Sequence, residues 1–254
     1  MKQGRCPLCL QDGKALCESH FIAEGINRRA GKGRVVMTPE LFVAIQKPVK
    51  DYLLCKDCEQ KFGRAEDYVI SLLRQDESSF PLLERLTASK PLGSGKSGSL
   101  VYSATAAGVE VAQIAYFALS MFWRASVHAW TTLNGKTIHM PLRSYEEPVR
   151  KYLNNETGVP TGLVLRLGVC TDKESQAMVF APVEWSNDLY TGYEMTVLGV
   201  SFTLVVGVKP AAKDWGLCCV NSKENVIFLE DCSEASRDHY RDLRTKARIA
   251  RNLS

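Results

Sequence analysis

The spacing of hydrophobic and polar positions changes several times along the chain. From Cys6 to Cys58 no apolar period is sustained, and turn formers and charges are frequent, as expected where a bound metal replaces part of a core. Glu59 to Arg74 then places Phe62, Tyr68, Val69, Leu72 and Leu73 at mostly helical intervals, which predicts a helix directly behind Cys58. Pro91 to Ser99, PLGSGKSGS, reads as a flexible linker or exposed loop with a domain boundary near it.

Glu110 to Trp130 carries Val111, Ile114, Ala115, Ala118, Met121, Phe122 and Ala125 on one face. Tyr116, Phe117, Leu119 and Trp123 cover much of the rest, the pattern of a helix buried nearly all round. A further helix is expected around Ser144 to Asn154, ended by Gly158 and Pro160. After it the period shortens. Leu163 to Cys170, Ala177 to Val183, Met195 to Val208, Gly216 to Val220 and Val226 to Leu229 are β-branched or aromatic-rich runs between turn residues, the signature of an antiparallel sheet. Asp231 to Arg251 closes the chain as a basic helix, with Asp231 and Glu234 at capping spacing. The expected class is α+β. Residues 1–90 form a small N-terminal module, and residues 100–254 a second domain with helices over about 110–155, a sheet over about 163–230 and a C-terminal helix over about 232–251.

Composition changes this picture little until the cysteines are placed. The chain has 254 residues, 45% hydrophobic and 24% charged, an ordinary globular balance, and its net charge of +4 does not by itself demand a nucleic-acid partner. The most apolar run, Ile114 to Trp123, is about half of the roughly twenty residues that cross a bilayer, so no membrane span is expected. Met1 to Arg5 leads straight into Cys6 with no secretory leader pattern, which points to the cytoplasm. There, paired cysteine spacings favour metal over disulfides. Cys6-Pro7-Leu8-Cys9 and Cys55-Lys56-Asp57-Cys58 each hold two residues between their cysteines, and two such knuckles supply the four thiolates of a closed structural zinc site. Four reduced core cysteines are the competing reading, and Cys17 is an alternative ligand. Cys170, Cys218, Cys219 and Cys232 read as ordinary sheet or core thiols.

A first knuckle on a hairpin, a long excursion and a second knuckle opening a helix is the plan of a treble-clef zinc finger. Glu18-Ser19-His20-Phe21-Ile22-Ala23 together with Leu53-Leu54-Cys55-Lys56-Asp57-Cys58-Glu59 resembles the zinc-containing branch of the HNH (His-Me finger) endonucleases, over roughly residues 1–75. The resemblance implies phosphodiester hydrolysis of DNA, in a mobile-element or phage-defence setting. His20 would be general base, and a catalytic magnesium or manganese ion would sit beside it. Ser19 stands where the family has a metal-binding Asp or His, and Glu59 where it has Asn or His, so the carboxylates of Glu59 and Glu18 become the candidate metal ligands. Asn27 is a candidate to orient the His20 ring. The bland reading of His20 is a structural histidine beside the knuckle, or a zinc ligand.

Arg28, Arg29, Lys32 and Arg34 in RRAGKGR form a candidate phosphate-contacting loop, or a solvated surface one. Arg237, Arg241, Arg244 and Arg248 form a stripe diluted by Asp238 and Asp242. Gly95-Lys96-Ser97 imitates the end of a P-loop, but the opening glycine would fall at Lys90 and no strand leads in. Trp123, Arg124 and His128 line either a pocket or plain core. The leading expectation is a divalent-metal-dependent nuclease. The alternative is a non-catalytic zinc module that binds nucleic acid or a protein partner, with a homodimer also open.

Overall fold

The computed structural model describes residues 2–30, 35–38, 41–44, 48–76, 78–95, 98–132, 135, 137–173, 175–186, 188–208, 217–222 and 224–232, with 35–38 and 41–44 as backbone alone. The N-terminal part contains β1 (Lys2–Gly4), β2 (Lys14–His20), α1 (Glu24–Arg29), β3 (Val35–Thr38), β4 (Leu41–Ala44), β5 (Lys50–Cys55), α2 (Lys56–Leu72) and α3 (Pro81–Thr87). The middle contains β6 (Gly93–Ser94), β7 (Leu100–Ser103), α4 (Val111–Val127), β8 (Trp130–Thr131), β9 (Thr137–Ile138) and α5 (Glu146–Leu153). The rest is β10 (Leu163–Cys170), β11 (Val179–Ser186), β12 (Thr191–Val197), β13 (Val200–Val206) and β14 (Val226–Glu230). The expected C-terminal helix and its arginine stripe lie outside the described residues.

Among the described residues, β1-β2-β5 form a three-stranded sheet and β8-β9 a two-stranded one. The main sheet has the order β4-β3-β11-β12-β13-β10-β14-β7-β6. The architecture is mixed α and β and mostly antiparallel, with two parallel seams the sequence reading lacks: β3 on β11, and β14 on β10. Parallel partners meet through long crossovers that leave no local signal. The apolar run from Met195 to Val208 proves to be two strands. Leu198 and Gly199, with φ of 46° and 85°, turn the chain back between β12 and β13, and glycine adopts such a φ without Cβ strain. At Gly192 on β12 the indole of Trp185 lies so close that an added Cβ would sit 2.1 Å from it.

α4 is the centre of the packing, and its all-round burial has a simple cause. Phe117 and Phe122 meet Phe202 of β13 and Tyr193 of β12, with ring centroids 5.6 and 6.4 Å apart. On its other side Tyr116 lies between Phe62 of α2 and Tyr152 of α5. One buried cluster runs from Cys6 to Leu229, so the segments 1–90 and 100–254 share a core, and Gly93–Ser94 in the expected linker is an edge strand of the main sheet.

Candidate metal centre and its polar surroundings

The first cysteine pair lies in the turn joining β1 to β2. The Leu10 N–H donates to the Cys6 carbonyl at 2.8 Å, the Cys6 N–H donates to the Gln11 carbonyl, and Leu10 takes φ of 60° to close the loop. The second pair straddles the junction of β5 and α2, with Cys55 as the N-cap and Cys58 in the first turn. β5 pairs with β2 and so carries the second knuckle up to the first. The four sulfur atoms lie within 4.8 Å of one another.

Burial, the largest influence on the Cys6 thiol, is overcome by backbone N–H groups of Cys55, Cys9 and Leu8 directed at it, and its pKa is lowered. For Cys55 and Cys58 burial prevails and raises the pKa. A compact group of four thiols, one already favoured as thiolate by three N–H groups, is the donor set of a tetrahedral soft-metal site. Cys17 is a free, half-buried thiol outside the group.

The other expected site residues are distributed around this centre. Ser19 is fully buried; its hydroxyl donates to Glu59 at 2.7 Å and accepts the Leu54 N–H at 3.3 Å. Successive side chains of a strand face opposite ways, so Glu18 and His20 lie on the other face of β2 from Ser19. There Glu18 pairs with Lys50. Glu18, His20 and Glu59 belong to neither of the two groups of metal-capable side chains among the described residues. Asn27 donates to the Ile22 carbonyl at 2.8 Å and does not orient the His20 ring.

In the candidate basic loop, Arg29 donates to the Ile70 carbonyl, tying α1 to α2, and Arg28 lies 3.7 Å from Glu24 on the surface. Lys32 and Arg34 lie outside the described residues, as do Lys96 and Ser97 of the false P-loop.

Sequence reading missed what holds this centre in place. Arg124 of α4 is buried, donates to Glu66 of α2 at 2.6 Å and to the His20 carbonyl, and its guanidinium lies 4.5 Å from the centre of the Phe62 ring. Arg150 of α5 donates to the Leu8 carbonyl inside the first knuckle at 2.8 Å while pairing with Glu147 and Glu156. His128 reaches Asp51 at 3.0 Å. A charged residue on an apolar helix was the available signal for Arg124; Arg150 gave none. Elsewhere, Arg143, Tyr145, Asp188, Leu189, Tyr190 and Tyr193 help line a cavity of 390 Å³ that the sequence did not indicate.

One expectation is corrected. Cys170 and Cys232, read as ordinary thiols, are joined by a disulfide with their Cα atoms 5.5 Å apart. The parallel seam sets Cys170, the last residue of β10, opposite Glu230 at the end of β14, which brings Cys232 within reach. Cys218 and Cys219 are buried free thiols. No helix among the described residues is long and apolar enough to cross a membrane. Comparison of the chain with protein-family models, with curated proteins and with solved structures gave no match.

Proposed function

We propose that residues 1–75 form a treble-clef zinc module that binds nucleic acid, DNA in the first instance, without cutting it. The observation that carries this reading is the Ser19–Glu59 hydrogen bond. At the two positions where the resemblance to HNH endonucleases requires ligands for a catalytic ion, a buried hydroxyl and a carboxylate are bonded to each other. Glu18, the remaining carboxylate, is turned to the opposite face and neutralised by Lys50. Cys6, Cys9, Cys55 and Cys58 would hold zinc as a fold-stabilising ion, which ties β1-β2 to the start of α2. The charge distribution supports the choice of partner. Residues 1–75 contain 13 Lys and Arg against 9 Asp and Glu, so the whole net charge of +4 resides in the module.

A second reading, nuclease activity, is favoured by one feature: the half-buried His20 ring accepts or donates no hydrogen bond among the described residues and is available as a base. In that reading Glu59 and Glu18 would hold magnesium or manganese.

One experiment separates the two. Plasmid and short duplex DNA are incubated with the protein and magnesium or manganese, beside His20→Ala, and scored for both retention and cleavage. The expected result is retention at about 50 mM salt that is largely lost by about 200 mM, with no metal-dependent cleavage. Cleavage abolished by His20→Ala would establish the nuclease reading instead, and DNA that is neither retained nor cut would remove both.

A further inference from the structure

We infer that Cys170, Asp172 and Cys232 form a second zinc site that exists in the reduced protein and is replaced by the Cys170–Cys232 disulfide on oxidation. Three observations carry the inference. The two sulfur atoms and a carboxylate oxygen of Asp172 lie within 4.8 Å of one another. Among the described residues the Asp172 Oδ2 atom is buried and has no hydrogen-bond partner, a costly arrangement for a carboxylate and one that a cation would relieve. The other oxygen, Oδ1, accepts the Ser175 N–H at 2.8 Å, the kind of outer contact that orients a ligating carboxylate.

The scaffold around the three residues is already fixed. Cys170 ends β10, and its N–H donates to the Gly199 carbonyl in the turn between β12 and β13. The Gln176 amide donates to the Cys170 and Thr171 carbonyls and braces the loop that carries Asp172. The Thr171 N–H donates to the Glu230 carbonyl, which pins the end of β14 two residues before Cys232. Forming or breaking the disulfide therefore requires rotation of side chains and no strand movement. Two thiolates and one carboxylate are zinc donors, and three protein ligands leave the fourth tetrahedral position for water or a small ligand. Asp172 and Cys232 are only partly buried, so that position can exchange with solvent.

Metal and disulfide exclude each other, because a sulfur in an S–S bond is no longer a thiolate. With glutathione disulfide as oxidant, one protein thiolate attacks it, breaking its S–S bond and releasing a glutathione thiolate. The second protein thiolate then displaces the second glutathione. The protein S–S bond forms, two electrons pass to the oxidant, and Zn²⁺ departs.

The test is zinc content of the purified full-length chain, loaded with zinc and freed of excess ion, reduced or treated with glutathione disulfide. Reduced wild type should hold two zinc ions per chain and oxidised wild type one. Cys170→Ser should hold one in both states. Asp172→Asn, which leaves both cysteines in place, should still oxidise while its second-site affinity falls by at least about tenfold. Cys58→Ser separates this site from the N-terminal one, because it should retain zinc that disappears on oxidation. A single zinc in the reduced wild type that is lost in Cys58→Ser would overturn the inference. A second zinc that survives both Cys170→Ser and Asp172→Asn would overturn it too.

Discussion

The N-terminal module and the main sheet are held together by different means. Around β10, β12 and β13, stability comes from rows of apolar side chains packed against α4, among them Leu165, Leu167, Tyr193, Met195, Phe202 and Leu204, all buried. β1, β2 and β5 are short; their buried positions include Ser19 and Cys55, with Cys6 buried in the turn between β1 and β2 and Cys58 in the first turn of α2. The module gains order from added features: a sulfur cluster, and two arginines that reach from α4 and α5 to its backbone carbonyls. A chelator or a fall in pH removes metal coordination and ion pairs and leaves apolar burial in place. The module should therefore be the conditional part of the molecule, and the sheet the constant part.

The largest expected effect comes from breaking the four-cysteine group that would hold the proposed zinc. Structural zinc contributes of order 10 kcal/mol in small metal-dependent folds, more than a module of this size can replace. Cys58→Ser should lose the N-terminal zinc and leave amide exchange fast across β1, β2 and β5, while β10, β12 and β13 remain protected. Equal protection of both regions in the metal-free variant would erase the distinction between them.

Next is the clamp from α4. The Arg124 side chain is 1% exposed, and its partner Glu66 is largely covered. Arg124→Met should cost about 3–5 kcal/mol, because it leaves Glu66 and the His20 carbonyl without their donor in a dry environment. The loss would be read as a shift of the urea midpoint. A cost below about 1 kcal/mol would show that the two layers are joined by apolar contact alone.

The contrast also explains what could be read in advance. β10 and β14 stand where the apolar runs put them, at Leu163–Cys170 and Val226–Glu230, because a buried strand needs a continuous run of branched side chains. α4 was legible for the same reason. The cysteine group was legible from spacing, since a knuckle is a local object with only two residues between its ligands. What was hidden depends on topology. The parallel seams, and through them the Cys170–Cys232 bond and the approach of Asp172, arise when the chain returns after a long excursion. The Ser19–Glu59 contact was hidden for a related reason. Adjacent residues on a strand look like one motif, Glu-Ser-His, yet the pleat sends the middle side chain to α2 and the outer two away from it.

The smallest expected effect tests the second clamp and is read through pH. Hydrogen bonds from Arg150 and then Asn154 hold the Glu156 carboxyl down at about 2, against an ordinary 4.5, and Arg150 likewise lowers Glu147. A carboxyl whose pKa is depressed by folding adds stability above its unfolded value and loses it as the pH falls through its folded value. The contribution is therefore complete above about pH 5 and disappears between about 4.5 and 2. Because the same guanidinium holds the Leu8 carbonyl, the loss should appear first as faster amide exchange in the turn from Cys6 to Leu10. Glu156→Gln keeps an acceptor for Arg150 but cannot titrate. Subtracting the variant from wild type in excess zinc also removes the acid sensitivity that both share through their thiolates. The difference should be constant from about pH 7 to about 5 and close by about pH 2. A difference that ignores pH would mean that the knuckle depends on its sulfur ligands and not on the arginine behind them.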